Sequence, residues 1–222
     1  MRRTRGRDIV LACILLIVLA LPALVVSLVI LCVDGRPVLY RQERLGRGGR
    51  RFTLHKFRTM RAEMGGAALT VGGDPRVTRI GSWLRRTKID EWPQLIDVLV
   101  GRMTFVGARP EVPAYAALFE HGEARWLLER RPGITDPSSI LCRREEALLA
   151  RQSDPERWYR EVLFPAKARL SWRYAERATW WSDVRVLLET ACGRPRFARA
   201  FAEWVGLGEE WKRILGEVVP RS

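Results

Sequence analysis

The chain has 222 residues, which is enough for one domain with a hydrophobic core, alone or with an appendage. Its formal net charge of +14 at pH 7 indicates a polyanionic partner: nucleic acid, an anionic membrane surface or a phosphorylated substrate. The four cysteines have no metal-ligand spacing and suggest no disulfide framework, and two histidines argue against a histidine-rich metal site.

A long apolar segment follows the basic N-terminus. It runs from Ile9 to Val33 without a charged residue and, as one helix, would be about 37 Å long, enough to cross a bilayer. A cleaved signal peptide is disfavoured because the segment is long and no small-residue cleavage site precedes a polar start. Arginines flank it on both sides, so the positive-inside rule gives no orientation. Pro22 predicts a bend, which leaves two alternatives: a kinked spanning helix, or a re-entrant helix that enters and leaves on the cytoplasmic side.

A β-hairpin is predicted next. Two strand-like stretches within residues 37–60 are joined by the turn Gly46-Arg47-Gly48-Gly49. Lys56 and Arg58 lie two residues apart in the second strand, so their side chains share a face. That face is either solvated or a binding surface. A loop over residues 61–78 and a helix over residues 80–86 are predicted to follow.

The stretch RTKIDEWPQL, residues 86–95, places the adjacent carboxylates Asp90 and Glu91 before a proline. Proline is tolerated in a first helical turn and apolar residues follow at helical spacing, so the stretch predicts a helix that begins near Asp90. The carboxylates are then either helix caps, worth about 1 kcal/mol, or reactive groups. Four cations lie close by in the sequence: Arg85, Arg86, Lys88 and Arg109. Capping needs no such cluster, whereas attack on a phosphate does, because cations must offset the negative charge of the target.

The remainder of the chain is predicted to be helical. A helical pattern runs from Val112 to Arg131, and residues 144–216 alternate basic and aromatic residues. These helices either lie at a membrane interface or carry ordinary core aromatics. The aromatic residues concerned are Trp158, Tyr159, Trp172, Tyr174, Trp180, Trp181, Trp204 and Trp211.

Several short motifs, in this order, resemble the bacterial sugar transferases that act as monotopic polyprenyl-phosphate phosphoglycosyl transferases. They are Arg7-Asp8, PVLYRQ (37–42), KFRTM (56–60), DEWPQL (90–95), GRM (101–103), VGARP (106–110) and RPGIT (131–135), with weak similarity to Asp183. The resemblance covers about residues 5–190. Ala108 stands where many members have proline, and DPSS (136–139) where many have Gly-Trp-Ala-Gln. This departure indicates a variant branch, so the resemblance names no donor sugar.

The resemblance implies an α+β, mostly helical fold with a small β-hairpin and amphipathic interfacial helices. Residues 1–35 would form a basic segment and a re-entrant membrane helix broken at Pro22, and residues 36–222 a catalytic domain. The chain would lie at the bacterial inner membrane, with this domain on the cytoplasmic face. The oligomeric state and the role of the tail after about residue 190 stay open.

The resemblance also implies a reaction between a UDP-sugar and a polyprenyl phosphate. Asp90 would be the nucleophile that attacks the sugar-bearing phosphate, so that UMP leaves and the polyprenyl phosphate then takes the phosphosugar. Glu91 would hold Mg²⁺, which prefers one or two carboxylates together with phosphate oxygens. A carboxylate is a competent covalent acceptor, and guanidinium groups suit phosphates. The implied substrate-binding residues are Lys56, Arg58, Arg85, Arg109 and Arg131.

Two other functions fit the sequence less well. A membrane-tethered nucleic-acid-binding protein would explain the charge and the aromatics, but no nucleic-acid motif or basic helix face is present, so no nucleic-acid partner is expected. A catalytically inactive membrane scaffold of the same fold is disfavoured by the intact Asp90-Glu91 pair and the cations around it.

Overall fold

Helices dominate the structure, a computed structural model that describes residues 5–61 and 69–216. The expectation of a mostly helical fold with small sheets is confirmed. The strands are β1 (Leu39–Leu45) and β2 (Arg51–Phe57), which pair with each other, and β3 (Thr104–Val106) and β4 (Gly133–Thr135), which form a second sheet. The α-helices are α1 (Arg5–Val33), α2 (Arg79–Thr87), α3 (Gln94–Leu99), α4 (Gly122–Leu127), α5 (Pro137–Leu141), α6 (Glu145–Leu149), α7 (Pro155–Trp158), α8 (Phe164–Arg177), α9 (Trp180–Cys192), α10 (Arg196–Trp204) and α11 (Gly208–Leu215).

Helix α1 carries the long apolar segment and, within the described residues, is the one helix long and apolar enough to cross a membrane. Only 6% of its most apolar window is buried inside the protein, unlike the core helix of a soluble domain. Two positions are fully buried: Ala12, in a cluster with residues of α3 and β3, and Ile30, in a cluster with residues of β2 and α2. The helix continues through Pro22 instead of ending there. Whether it spans or re-enters the membrane stays a prediction.

The predicted hairpin is confirmed. Strands β1 and β2 are antiparallel, with Leu39 opposite Phe57 and Leu45 opposite Arg51. A 3₁₀ turn, Arg47–Gly49, joins them, and Gly48 and Gly49 have φ of 70° and 71°, which glycine adopts without steric cost. The hairpin therefore has the turn chemistry that its sequence indicates.

The segment from α2 to α3 differs in part from its prediction. Helix α2 confirms the helix expected over residues 80–86, and Thr78 caps its start by accepting a hydrogen bond from the backbone N–H of Gly81 at 2.9 Å. Lys88 ends it with φ of 61°, a left-handed conformation uncommon outside glycine. The expectation of a helix beginning near Asp90 is wrong: a 3₁₀ turn, Ile89–Glu91, comes first, and α3 starts at Gln94. The left-handed Lys88 separates the carboxylates from α2, and Trp92 and Pro93 separate them from α3.

Parallel strands β3 and β4 lie against α1 and α9, and they position the loop that follows β3. Gly107 and Gly133 make an unusually close backbone contact, because a Cβ on Gly133 would lie 2.2 Å from the Gly107 nitrogen. The helical pattern expected over 112–131 is broken into a 3₁₀ turn, Pro113–Phe119, and α4. The chain enters α4 through Gly122 at φ of 60°, which interrupts a continuous helix.

Some of the C-terminal aromatic residues lie in the core and others are exposed, so neither alternative, core packing or a membrane interface, accounts for all of them. Tyr159 and Trp211 are buried in the main core, whose other members come largely from α5, α8 and α10. Trp180, Trp181 and Trp204 are 47%, 69% and 69% exposed. Core packing therefore explains some of these residues, whereas the exposed ones are free to meet a membrane or a partner.

Candidate active site

The two adjacent carboxylates lie in a turn, residues 88–93, that we call the carboxylate turn. Asp90 is 6% exposed and Glu91 is 8% exposed. Helix α3 begins after Pro93 without any side-chain capping hydrogen bond. The alternative that these carboxylates are ordinary caps of this helix is therefore wrong. Two buried carboxylates in a short turn call for another explanation, because burying a charge without a partner is costly.

Glu91 is paired with Arg109, which follows β3. Arg109 Nη2 donates to Glu91 Oε1 at 2.5 Å, and Nη1 donates to Oε2 at 3.1 Å. Lys88 Nζ lies 3.7 Å from Oε1. Burial alone would raise the pKa of Glu91, but the charges of Arg109, Lys88 and Lys56 outweigh it and hold this pKa well below its usual range. Glu91 is thus an ionised carboxylate at any physiological pH.

Asp90 has the opposite electrostatic setting. Burial raises the pKa of its carboxyl and the neighbouring charge of Glu91 raises it further, against the opposing effect of Lys56, Lys88 and Arg109. Its Oδ1 atom is buried and has no hydrogen-bond partner among the described residues. Native proteins satisfy most buried polar atoms, so an unpaired carboxylate oxygen beside three cations marks a place for a ligand.

Lys56 on β2 belongs to the same cluster. Burial lowers its pKa to about 7, and the positive charge of Arg109 contributes, against the raising effect of Glu91 and Asp90. The structure therefore brings together five of the residues singled out in the sequence: Lys56, Lys88, Asp90, Glu91 and Arg109.

Within the described residues, the other three predicted substrate-binding residues form no hydrogen bond or ion pair with the carboxylates. Arg58 is buried and donates to the backbone carbonyl oxygens of residues 34–36, at 2.6 to 2.9 Å. Arg85 donates to Glu146 Oε1 at 2.6 Å and to Thr59 Oγ1 at 2.9 Å. Within residues 5–61 and 69–216, Glu91 forms ion pairs with Arg109 and Lys88, and none with Arg131. Their substrate-binding role stays a prediction.

Sequence reasoning missed a second charged cluster behind Arg109. Lys167, 8% exposed, lies 2.9 Å from Glu145 Oε2 and 3.9 Å from Glu111 Oε1, and the hydroxyl of Tyr159 donates to Glu111 Oε1 at 2.7 Å. A cleft between this cluster and the site is lined by Arg109, Glu111 and Lys167. The position of Glu111, two residues after Arg109, is the sequence signal that could have pointed to this cluster. Lys167 gave no such signal, because it lies far along the chain, on α8.

The donor set fits a Mg²⁺ ion completed by substrate. Among the described residues no group of three or more His, Cys, Asp or Glu side chains could hold a metal ion. Mg²⁺ usually binds one or two carboxylates and takes its remaining ligands from phosphates and water. Glu91 is ionised, and its two oxygens have lone pairs beyond those that Arg109 uses.

Comparison with known proteins gives consistent matches. A profile of the bacterial sugar transferase family matches residues 2–194. The UDP-glucose:undecaprenyl-phosphate glucose-1-phosphate transferase of Escherichia coli is 31% identical over 84% of this chain and 39% of its own length. The undecaprenyl-phosphate glucose phosphotransferase of Komagataeibacter xylinus is 35% identical over 86% of this chain and 35% of its own length.

A third relative carries a different sugar in its name. The UDP-N-acetylgalactosamine-undecaprenyl-phosphate N-acetylgalactosaminephosphotransferase of Aeromonas hydrophila is 36% identical over 62% of this chain and 33% of its own length. The chain spans less than two thirds of the length of each of these relatives. The similarity therefore concerns the part of these proteins that they share with this chain, and it selects no sugar.

Proposed function

Because the chain belongs to the bacterial sugar transferase family, we propose that it transfers a phosphosugar from a UDP-sugar to a polyprenyl phosphate. An Asp90 carboxylate oxygen attacks the sugar-bearing phosphorus, the bond from that phosphorus to the bridging oxygen breaks, and UMP leaves. A phosphate oxygen of the polyprenyl phosphate then attacks the same phosphorus and releases Asp90. The product is a polyprenyl-diphosphate-linked sugar, the starting unit of a glycan.

The observation that carries this proposal is the unpaired, buried Oδ1 of Asp90 beside the ion pair of Glu91 and Arg109. A nucleophilic carboxylate needs a free oxygen, and this one is held in a turn rather than on a mobile loop tip. Covalent catalysis divides one difficult displacement into two easier ones. The raised pKa of Asp90 means that cations must keep it ionised when the diphosphate binds nearby.

Arg109 and Lys56 supply that positive charge. The fixed guanidinium of Arg109 stabilises negative charge that develops on the phosphoryl oxygens. Lys56, with its lowered pKa, gains a proton more readily once a diphosphate is bound, because the added negative charge favours the ammonium form. Mg²⁺, held by Glu91, would neutralise the diphosphate of the donor.

The proposal places the domain on the cytoplasmic face of the bacterial inner membrane, with α1 re-entrant. Support comes from residues near its two ends, since Ala12 and Ile30 both pack against residues of the domain. The phosphate of the acceptor is fixed at headgroup height, so a domain held against the bilayer meets it directly. The cationic surplus adds about 1 kcal/mol per basic residue near an anionic surface. The partners are thus a UDP-sugar, a polyprenyl phosphate and the phospholipid membrane, without nucleic acid.

The test is UMP release by the full chain in nanodiscs with Mg²⁺ and a panel of UDP-sugars, with and without polyprenyl phosphate. Without acceptor we expect at most one UMP per protein, together with an intact-mass increase equal to one phosphosugar. Asp90→Asn should abolish both signals. Asp154→Asn is the matched control, because asparagine also caps α7, where the Asp154 side chain accepts from the backbone N–H of Arg157 at 3.0 Å. Equal UMP release by Asp90→Asn, or none from the unaltered chain with any donor, would reject the proposal and favour an inactive scaffold.

A further inference from the structure

Helices α2 and α3 hold the carboxylate turn between them, and the far end of each contacts a different end of α1. At the N-terminal end of α1, Arg5 Nη1 donates to the carbonyl oxygen of Val98, and Nη2 donates to that of Leu99 at 2.6 Å. These carbonyls belong to the last turn of α3, where a cation is favourable, and that of Val98 also accepts from the backbone N–H of Gly101 at 3.0 Å. Arg5 therefore caps the helix that follows the two carboxylates.

A second contact reinforces this end. Asp8 is 8% exposed, and its Oδ2 accepts a hydrogen bond from Thr104 Oγ1 on β3 at 2.7 Å. Gly101, just after α3, leaves room for the Arg5 guanidinium, since a Cβ there would lie 3.1 Å from Arg5 Nη2. The first turns of α1 are thus fixed to the protein by directed polar bonds as well as by apolar packing.

The C-terminal end of α1 is fixed to α2 in the same way. Thr78, the capping residue of α2, donates from its hydroxyl to Asp34 Oδ2 at 2.8 Å, directly after α1. The buried Arg58 donates to the carbonyl oxygens of Asp34 and Gly35 at 2.6 and 2.7 Å. The start of α2 and the end of α3 are therefore fixed to sites about 40 Å apart along one helix.

We infer that α1, besides anchoring the chain, positions the carboxylate turn, with Arg5 and Asp34 as positioning residues at its two ends. The inference rests on the proposed function and concerns the same site. The turn is short and includes Lys88 at φ of 61°, so its shape depends on where α2 and α3 are held. A displacement of about 1 Å of a reacting group can cost roughly 100-fold in rate.

The first experiment compares Arg5→Gln with Arg7→Gln in nanodiscs. Each removes one positive charge from the same end of α1, but the Arg7 guanidinium lies over the Trp180 ring, 5.9 Å from its centroid, instead of on α3. In single-turnover UMP release without acceptor, we expect Arg5→Gln to be about 10- to 100-fold slower, with an unchanged amplitude per protein. The donor concentration at half-maximal rate should be unchanged. Arg7→Gln should react at the unaltered rate. Equal rates for the two variants, or a loss of amplitude in place of rate, would overturn the inference, since lost amplitude reports fewer folded sites.

The second experiment combines Arg5→Gln with Asp34→Ala. Substitutions this far apart usually have additive effects on free energy. If the turn is held from both ends of α1, releasing either end relaxes it, and the double variant should be no slower than Arg5→Gln alone. A rate loss equal to the product of the two single losses would contradict positioning by one shared helix.

Hydrogen exchange separates this inference from the proposed function. If the unaltered chain releases no UMP with any donor, the proposed reaction fails, yet the amides of residues 88–101 still report on the contact. We expect their exchange to be faster in Arg5→Gln than in Arg7→Gln, because the last turn of α3 loses its cap. Identical exchange in both variants would reject the positioning role whatever the activity.

Discussion

Arg109 donates two hydrogen bonds to Glu91, from Nη2 to Oε1 at 2.5 Å and from Nη1 to Oε2 at 3.1 Å. The pair fixes the guanidinium plane next to Asp90 before any substrate arrives. Planar two-point recognition of this kind is available to arginine and not to lysine. Glu91 neutralises part of the positive charge of Arg109, so the site holds a positioned cation without an excess of positive charge.

Replacement of Arg109 by lysine should therefore lower the activity strongly, although the positive charge is kept. We expect Arg109→Lys to lower kcat/KM for UMP release by roughly 100-fold or more, because the oriented donors are lost. Arg102→Lys is the matched comparison: Arg102 Nη1 also contacts a buried carboxylate, Asp97 Oδ1 at 3.3 Å, but away from the turn. Steady-state UMP assays measure both. A loss in Arg102→Lys as large as that in Arg109→Lys would show that any arginine in this region matters.

Lys56 gives the site a pH dependence with a defined sign. Its pKa, lowered from 10.5 to about 7, means that the free protein has a cationic Lys56 below pH 7 and a neutral one above it. If the donor diphosphate binds the cation, donor KM should be constant at low pH and rise by up to about tenfold per unit above pH 7. The measurement is the donor concentration at the half-maximal rate of single-turnover UMP release, which takes the place of KM in the absence of acceptor. It is made between pH 6 and 9 without acceptor, so that the acceptor phosphate does not titrate in the assay.

Lys56→Arg supplies the comparison for this profile. A guanidinium stays charged across the whole range, so the rise in donor KM should disappear in this variant. The same pH profile in both proteins would assign the titration to another group, such as Asp90, and would remove Lys56 from the donor site.

Much of the site could be predicted because its residues are close in sequence or lie in motifs with a physical reason. Asp90 and Glu91 are adjacent, and Arg109 follows a strand-like stretch shortly after them. The hairpin followed from its glycine turn. The start of α3 was misjudged because residues 89–91 form a 3₁₀ turn before Pro93, which no pattern in the sequence reveals.

Contacts between distant segments could not be predicted. Arg58 and Lys56 were expected on one strand face, yet Arg58 lies past the end of β2 and turns to the carbonyls after α1. Arg85 was expected near the phosphates, but Glu146 from α6 engages it at 2.6 Å. Such pairings depend on tertiary packing and leave no periodic signal, so charge alone does not distinguish a substrate ligand from a structural cation.

The role of Arg58 can be determined from whether its replacement changes kcat or donor KM. As a structural residue that fixes the end of α1 to the domain, Arg58→Met should lower kcat and leave donor KM within about twofold. As a donor ligand, the same substitution should raise KM instead. Steady-state kinetics against donor concentration decide between the two, and Arg61→Met, a nearby arginine that is exposed, controls for the loss of one positive charge.

The close approach of Gly107 and Gly133 should make residue 133 intolerant of any side chain. A Cβ at Gly133 would lie 2.2 Å from the Gly107 nitrogen and 2.4 Å from its oxygen, so the loop that carries Arg109 would have to move. We expect Gly133→Ala to lower the free energy of unfolding by about 3 kcal/mol and Tm by roughly 10 °C. Gly6→Ala is the control, since no atom lies within 4 Å of its Cβ and alanine favours the helix. Thermal unfolding in detergent tests both, and equal Tm values would show that the two strands separate more easily than this contact implies.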